Sequence, residues 1–211
     1  MIEYHKIEPP FVREDNTKKL IEGKYKNETV EFVKDLTWQF TEKIDGTNIS
    51  IVWDGHKVEF HGRTERAQIP AHLVNKLNEL FGGDVNEEMF EQTFGDTPMI
   101  LYGEGYGYKI QNGGAYRDDV SFILFDVYQP TNDIWLKREA VENIAHKFNI
   151  EIVPIVLEGT IDDAVQYIKT CPSSTIGIAK MEGVVGRPAI ELRDRLGKRV
   201  IVKVKVHDFI R

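Results

Sequence analysis

Two strand-forming runs broken by a turn place the strongest constraint on the fold. Thr37-Trp38-Gln39-Phe40-Thr41-Glu42 and Ile49-Ser50-Ile51-Val52-Trp53 are aromatic and β-branched, a composition that suits a pleated, half-buried backbone. Between them, Lys43-Ile44-Asp45-Gly46-Thr47-Asn48 sets a lysine two residues ahead of an Asp-Gly turn signal. Lys43 is therefore predicted at a strand end, held by a rigid sheet, which is the layout of a lysine used as a covalent nucleophile. An ordinary lysine, with a pKa of about 10.4, is almost wholly protonated at pH 7 and cannot attack. Bringing that value to about 7.5 takes roughly 4 kcal/mol of differential interaction, so burial or other cations have to be supplied from elsewhere in the chain.

The cations stand near the C-terminus. In Arg199-Val200-Ile201-Val202-Lys203-Val204-Lys205-Val206, β-branched residues alternate with charges, so Lys203 and Lys205 share one face of a predicted strand while Val202, Val204 and Val206 take the other. Two lysines aimed the same way suit a polyphosphate and disfavour a proton on a third lysine nearby. The same pattern also suits an edge strand whose lysines guard against aggregation.

Three further segments each put a carboxylate on or beside a strand. Pro98-Met99-Ile100-Leu101-Tyr102-Gly103-Glu104-Gly105 ends an apolar run with Glu104 among glycines that permit close approach. Val120-Ser121-Phe122-Ile123-Leu124-Phe125-Asp126-Val127-Tyr128 is nearly continuous in apolar character, with Asp126 as the exception. Met181-Glu182-Gly183-Val184-Val185-Gly186-Arg187 opens on Glu182 and closes on an arginine. A buried carboxylate without a partner is costly, so Glu104, Asp126 and Glu182 each imply a cation, a metal or a hydrogen-bond donor.

These five pieces, in this order, resemble the motifs of the covalent nucleotidyltransferases, the superfamily of ATP-dependent RNA ligases, DNA ligases and mRNA capping enzymes. Lys43-Ile44-Asp45-Gly46 resembles the nucleophile motif, Leu101-Tyr102-Gly103-Glu104 the ribose-binding motif and Phe125-Asp126 the base-stacking motif. Glu182-Gly183-Val184-Val185 and Lys203-Val204-Lys205 resemble the last two. Asn48, Phe125-Asp126 and Lys203-Val204-Lys205 are most similar to the nick-sealing branch of RNA ligases.

The resemblance implies that Lys43 attacks the α-phosphorus of ATP to give a lysyl-AMP, passes AMP to an RNA 5′-phosphate, and so permits sealing by an RNA 3′-OH. It assigns Lys203 and Lys205 to the α-phosphate, Glu104 to the ribose and Phe125 to stacking on adenine. Glu42 is expected near the adenine amino group, with Ile44 also in nucleotide binding. Glu182 belongs with the catalytic lysines, and Asp45, Glu104 and Glu182 are the candidates to hold Mg2+ or Mn2+ through its waters. Asp126 either joins them or orients a neighbour. Arg63, after the hairpin that turns at Asp54-Gly55, is expected at the ribose or the RNA 5′-phosphate together with Asn48; an arginine at a hairpin exit is also commonly just solvated. The alternatives are a DNA ligase, a capping-type nucleotidyltransferase, or a noncatalytic nucleotide- or RNA-binding module. The pattern does not decide between nicked duplex and single-stranded ends.

The fold expected is α+β, a nucleotidyltransferase (ATP-grasp-like) arrangement of mainly antiparallel sheets forming a nucleotide cleft with flanking helices. Helical spacing recurs from Ile69 to Phe81, from Glu139 to Phe148 and from Asp162 to Lys169. A single domain over residues 1–211 is expected, without a C-terminal oligonucleotide-binding domain, since only six residues follow Lys205. The six histidines show no metal-ligand spacing, Asn112-Gly113-Gly114 reads as a turn, and the single cysteine, Cys171, excludes an internal disulfide. With no apolar run of about 20 residues and no signal core, the expectation is a cytoplasmic monomer away from membranes. The excess of acidic residues, 34 against 27 basic, argues against a nucleic-acid partner. That excess is unevenly spread, because residues 180–211 hold nine basic and four acidic side chains. Arg187, Arg193, Arg195, Lys198 and Arg199 are thus candidates for a strip along an RNA backbone, or for an ordinary solvated hairpin.

Overall fold

The computed structural model describes residues 2–64 and 66–210. In chain order its first elements are β1 (Phe11–Arg13), β2 (Leu20–Tyr25), α1 (Glu28–Phe32), β3 (Trp38–Lys43), β4 (Thr47–Trp53), β5 (Val58–Gly62), α2 (Ala71–Phe81) and α3 (Asp84–Phe94). They are followed by β6 (Met99–Gly107), β7 (Val120–Gln129), β8 (Ile134–Trp135), α4 (Arg138–Lys147) and β9 (Glu151–Ile152). The last are β10 (Ile155–Gly159), α5 (Ile161–Lys169), β11 (Gly183–Pro188) and β12 (Val202–Lys205). The chain divides into two compact units, His5–Ile44 with residues 154–210, and residues 2–4 with Asp45–Val153. The first crossing falls inside the Lys43–Gly46 turn. The two runs that flank it therefore belong to different sheets and do not pair.

In the unit that carries Lys43, four antiparallel strands run in the order β10-β3-β11-β12. Period-two alternation sorts their side chains. Trp38 and Phe40 of β3, Val184 of β11, and Val202 and Val204 of β12 join the buried cluster with Ile161, Ala164, Val165 and Ile168 of α5. α5 starts where the sequence supplies a capping box: the Thr160 hydroxyl accepts from the Asp163 backbone N–H (3.2 Å), and the Asp163 carboxylate accepts from the Thr160 N–H (2.8 Å). The opposite face of the sheet is left to Lys43, Lys203 and Lys205.

The other unit is built on a sheet in the order β5-β4-β6-β7-β8, with β9 added parallel to β7. Ile49, Ile51 and Trp53 of β4, Met99 and Leu101 of β6, and Phe122, Leu124 and Val127 of β7 face one core, covered by Leu73, Leu77 and Phe81 of α2, Phe90 of α3 and Val141 and Ile144 of α4. The β7 residues do not keep a strict two-residue period. Tyr102 pairs with Asp126 but Gly103 pairs with Leu124, so Phe125 is the extra residue of a β-bulge. The bulge lets Val127 return to the core after Leu124 and turns Phe125 and Asp126 toward the far side. Asn48, Ser50, Tyr102, Glu104 and Tyr106 lie on that far side too, as the alternation of β4 and β6 requires.

α2, α4 and α5 coincide with the periodic segments of the sequence, whereas α1 and α3 were not anticipated. Among the described residues no helix is long and apolar enough to cross a membrane.

Candidate functional site

Lys43 ends β3, and its position in the sheet is set by register: Gly183 of β11 is paired with Lys43 on one side and Lys205 of β12 on the other. The row behind it pairs Val185 with Thr41 and with Lys203. Three lysines therefore rise from one face within two adjacent rows. Gly183 lets β12 lie close against β11, since a Cβ there would stand 2.8 Å from Lys205 Cα.

Glu182, the residue before β11, closes the cluster. Lys43 Nζ donates to Glu182 Oε2 at 2.5 Å, and Lys205 Nζ pairs with Oε1 of the same carboxylate. These side chains are only 20–25% exposed, so the pairs are partly desolvated. Burial pushes the Glu182 carboxyl up, but Lys43 and Lys205 outweigh it and hold the group below the usual carboxylate value. For Lys203, burial comes first and the charges of Lys205 and Lys43 add to it, so its ammonium lies below the usual lysine range. Three lysines are thus gathered on this face, with one carboxylate between two of them.

Glu42 points away from this face and is 1% exposed. Its Oε2 accepts from the Thr175 N–H (2.9 Å) and the Thr175 hydroxyl (2.6 Å). Its Oε1 is buried with no hydrogen-bond partner among the described residues, an acceptor available to an amino group. Ile44, at 3% exposure, is buried next to Lys43 in the chain. Thr175 was not anticipated; it sits in an irregular segment that shows no period.

Within the unit that begins at Asp45, the predicted residues fall on the non-core face of the sheet. Asn48 of β4 is paired directly with Glu104 of β6, and Asn48 Oδ1 is buried without a hydrogen-bond partner among the described residues. Arg63 follows β5 immediately and is exposed. Gly46 is pressed against β6: a Cβ on it would meet Glu104 Cγ at 2.7 Å and the Gly105 carbonyl closer still. The absence of a side chain at Gly46 thus allows its backbone to lie on the Glu104 strand.

Phe125 is half-buried, and its ring packs edge-on against Tyr4, with centroids 5.0 Å apart. Asp126 is fully buried, and its Oδ2 accepts from the Tyr4 hydroxyl at 2.8 Å. Tyr4 also packs on Tyr102 and Trp135, and Tyr102 donates to the Ile2 carbonyl at 2.8 Å. The N-terminal segment therefore braces the bulge from outside, a role for Tyr4 that no local pattern signals. The Asp126 carboxylate is thus engaged with Tyr4 on the far side of the sheet.

The candidate RNA strip loses one member. Arg199 is 4% exposed in its side chain and holds Glu191 through two nitrogens, Nε at 2.6 Å and Nη2 at 3.0 Å. Arg193, Arg195 and Lys198 are exposed on the same hairpin.

Compared with known proteins, residues 36–205 match the family described as RNA ligase. The chain belongs to the RNA ligase family. All five motif segments of this family member lie inside that match. A search of curated proteins finds no significant match. Among solved structures, similarity is found to RNA ligase of Naegleria gruberi. A variant described with ATP and Mn aligns at TM-score 0.68 and 18% identity, covering 97% of this chain and 56% of that one. Another with AMP and Mn aligns at TM-score 0.64 and 18% identity, covering 84% and 52%, and the enzyme with PPi at 0.63 and 20%, covering 84% and 52%. This RNA ligase family chain thus spans about half the length of those proteins, and at such identities the likeness establishes the α+β nucleotidyltransferase fold.

Proposed function

We propose that this chain is the adenylyltransferase domain of an ATP-dependent RNA ligase, with Lys43 as the nucleophile. The observation that carries the reading is the row Lys43–Gly183–Lys205 with Glu182 holding both lysines. A module that only binds nucleotide has no need of a lysine at this position, desolvated among other cations.

The first step forms a bond between Lys43 Nζ and the α-phosphorus of ATP, breaks the bond to the leaving pyrophosphate, and releases the proton of the amine. In the second, a 5′-phosphate oxygen of RNA attacks the same phosphorus, the N–P bond breaks, and Lys43 is regenerated. In the third, the RNA 3′-OH attacks the activated 5′-phosphate and AMP departs. Lys203 and Lys205 serve the α-phosphate, where charge builds up in flight and fixed cations contribute most. Glu182 is the carboxylate that Lys43 leaves when it attacks.

Glu42 Oε1 fits the exocyclic amine of adenine, since it is a buried acceptor lacking a donor. Glu104 serves the ribose, Phe125 stacks on the base, and Asn48 and Arg63 serve a phosphate end. Mg2+ or Mn2+ would add positive charge against the phosphates, and Asp45, Glu104 and Glu182 are the carboxylates assigned to it. Mg2+ dehydrates reluctantly, so these carboxylates would hold it through its waters. RNA with 5′-phosphate and 3′-OH ends, as a nicked duplex or as single strands, is the substrate, and the chain acts as a cytoplasmic monomer.

Intact-mass spectrometry after incubation with Mg2+ and either ATP or GTP tests this. An AMP adduct from ATP alone, absent in Lys43→Ala, is expected. An adduct in Lys43→Ala overturns the nucleophile assignment, a GMP adduct points to capping chemistry, and no adduct leaves a binding module.

A further inference from the structure

The loop between β6 and β7 carries no motif, yet it holds Asp45, the residue two places after Lys43. The Tyr116 hydroxyl oxygen accepts from the Asp45 backbone N–H at 3.3 Å, and Asn112 Nδ2 donates to Asp45 Oδ2 at 3.1 Å. We propose that Asn112 and Tyr116 are positioning residues for Asp45, fixing its carboxylate and its backbone for formation of the lysyl adduct. The proposal rests on the function assigned above.

The loop is built to stay in place. Ile110 is 3% exposed and belongs to the core cluster, so it pins the middle of the segment. Backbone bonds from Tyr108 N to Asp119 O (2.8 Å), Gly113 N to Ile110 O (2.8 Å) and Tyr116 N to Gly113 O (3.0 Å) fold the rest around it. Lys109 and Gln111 take φ of 60° and 49°, left-handed values that side chains other than glycine adopt only where surroundings impose them.

Tyr116 is itself buttressed. Its ring meets Tyr106 edge-on, with centroids 6.0 Å apart, and the Tyr106 hydroxyl donates to Glu151 Oε2 at 2.7 Å. Arg117 Nη1 donates to the same Glu151 oxygen at 2.7 Å and to the Tyr106 hydroxyl at 3.1 Å. A charge-assisted network anchored on β9 thus fixes the ring whose hydroxyl receives the Asp45 N–H. Asn112 is exposed at the tip, so its contribution is one side-chain hydrogen bond and no packing.

Single-turnover adduct formation with ATP and Mg2+ tests the assignment, alongside amide hydrogen exchange at Asp45. Tyr116→Phe and Asn112→Ala are each expected to slow the step at saturating ATP by about tenfold, the rate equivalent of one lost hydrogen bond. Half-saturation by ATP should change less than about twofold, on the rule that an interaction used only in the reacting state leaves binding alone. Asn112→Asp is nearly isosteric but sets a second carboxylate against Asp45, and is expected to be slower than Asn112→Ala. Variants that react at the wild-type rate overturn the proposal. If wild-type protein forms no adduct, the ligase reading fails, and exchange decides the positioning alone: a protected Asp45 amide that loses protection in Tyr116→Phe upholds it, and equal exchange rates overturn it.

Discussion

Glu182→Gln keeps the shape of the side chain and removes the charge between Lys43 and Lys205. An exposed ion pair contributes at most about 1 kcal/mol, whereas removing one partner of a fully buried pair costs about 3–5 kcal/mol. Here one carboxylate serves two lysines, and all three side chains are 20–25% exposed. The intermediate burial places the loss at about 2–3 kcal/mol for both pairs together. With a urea dependence of about 2.5 kcal/mol per molar, the midpoint at pH 7 should fall by about 1 M. The sign with pH is also set. Because the folded-state pKa of Glu182 is lowered, its stabilisation is fully present above the unfolded carboxyl value of about 4.3 and is lost as pH falls through the lower folded value. The gap between wild type and variant should therefore narrow below about pH 4. Urea unfolding followed by circular dichroism at pH 7 and pH 3 measures both effects. A shift under about 0.3 M at pH 7, or an equal gap at the two pH values, would refute the view that Glu182 is held as a carboxylate by the two lysines.

Gly46→Ala drives a Cβ into Glu104 Cγ and the Gly105 carbonyl, and should destabilise by about 1–3 kcal/mol with loss of the AMP adduct; thermal unfolding and intact mass report it. Tyr4→Phe takes one donor from the fully buried Asp126 and should cost about 1–3 kcal/mol in urea unfolding. For Phe125, replacement by Ala should weaken ATP binding in calorimetry by about tenfold and replacement by Tyr by much less, as base–aromatic stacking contributes about 1–3 kcal/mol.

Much of the lysine cluster could be read without coordinates, because a strand's period of two is a local property. The alternation of Val202, Lys203, Val204 and Lys205 fixes which side chains share a face, and β12 keeps it. Partners distant in sequence left no such trace. Tyr4 reaches Asp126 across 122 residues, and Thr175 reaches Glu42 across 133, from segments with no periodic pattern. α3 escaped for another reason: only Phe90 of its residues is buried and Val85 is 79% exposed, so its apolar stripe is thin. The runs that flank the Lys43–Gly46 turn were legible as strands, but their assignment to separate sheets depends on long-range pairing. Asn112 and Tyr116 lie in a segment whose glycines signal a turn and say nothing of what the turn touches.

Phe125 and Asp126 are neighbours in sequence, and in a regular strand neighbours look out in opposite directions. Both meet Tyr4, and they can do so only because β7 carries one residue more than its partner β6 at that point. Deleting Phe125 would therefore remove more than a ring. The strand would revert to even pairing, with Leu124 inward, Asp126 outward and Val127 inward as before, so the bulge would be lost with the ring and no other residue would change sides. In this chain the Phe125-Asp126 pair is where the count of residues in β7 outruns that in β6, and the aromatic ring and the acid share one side because of it.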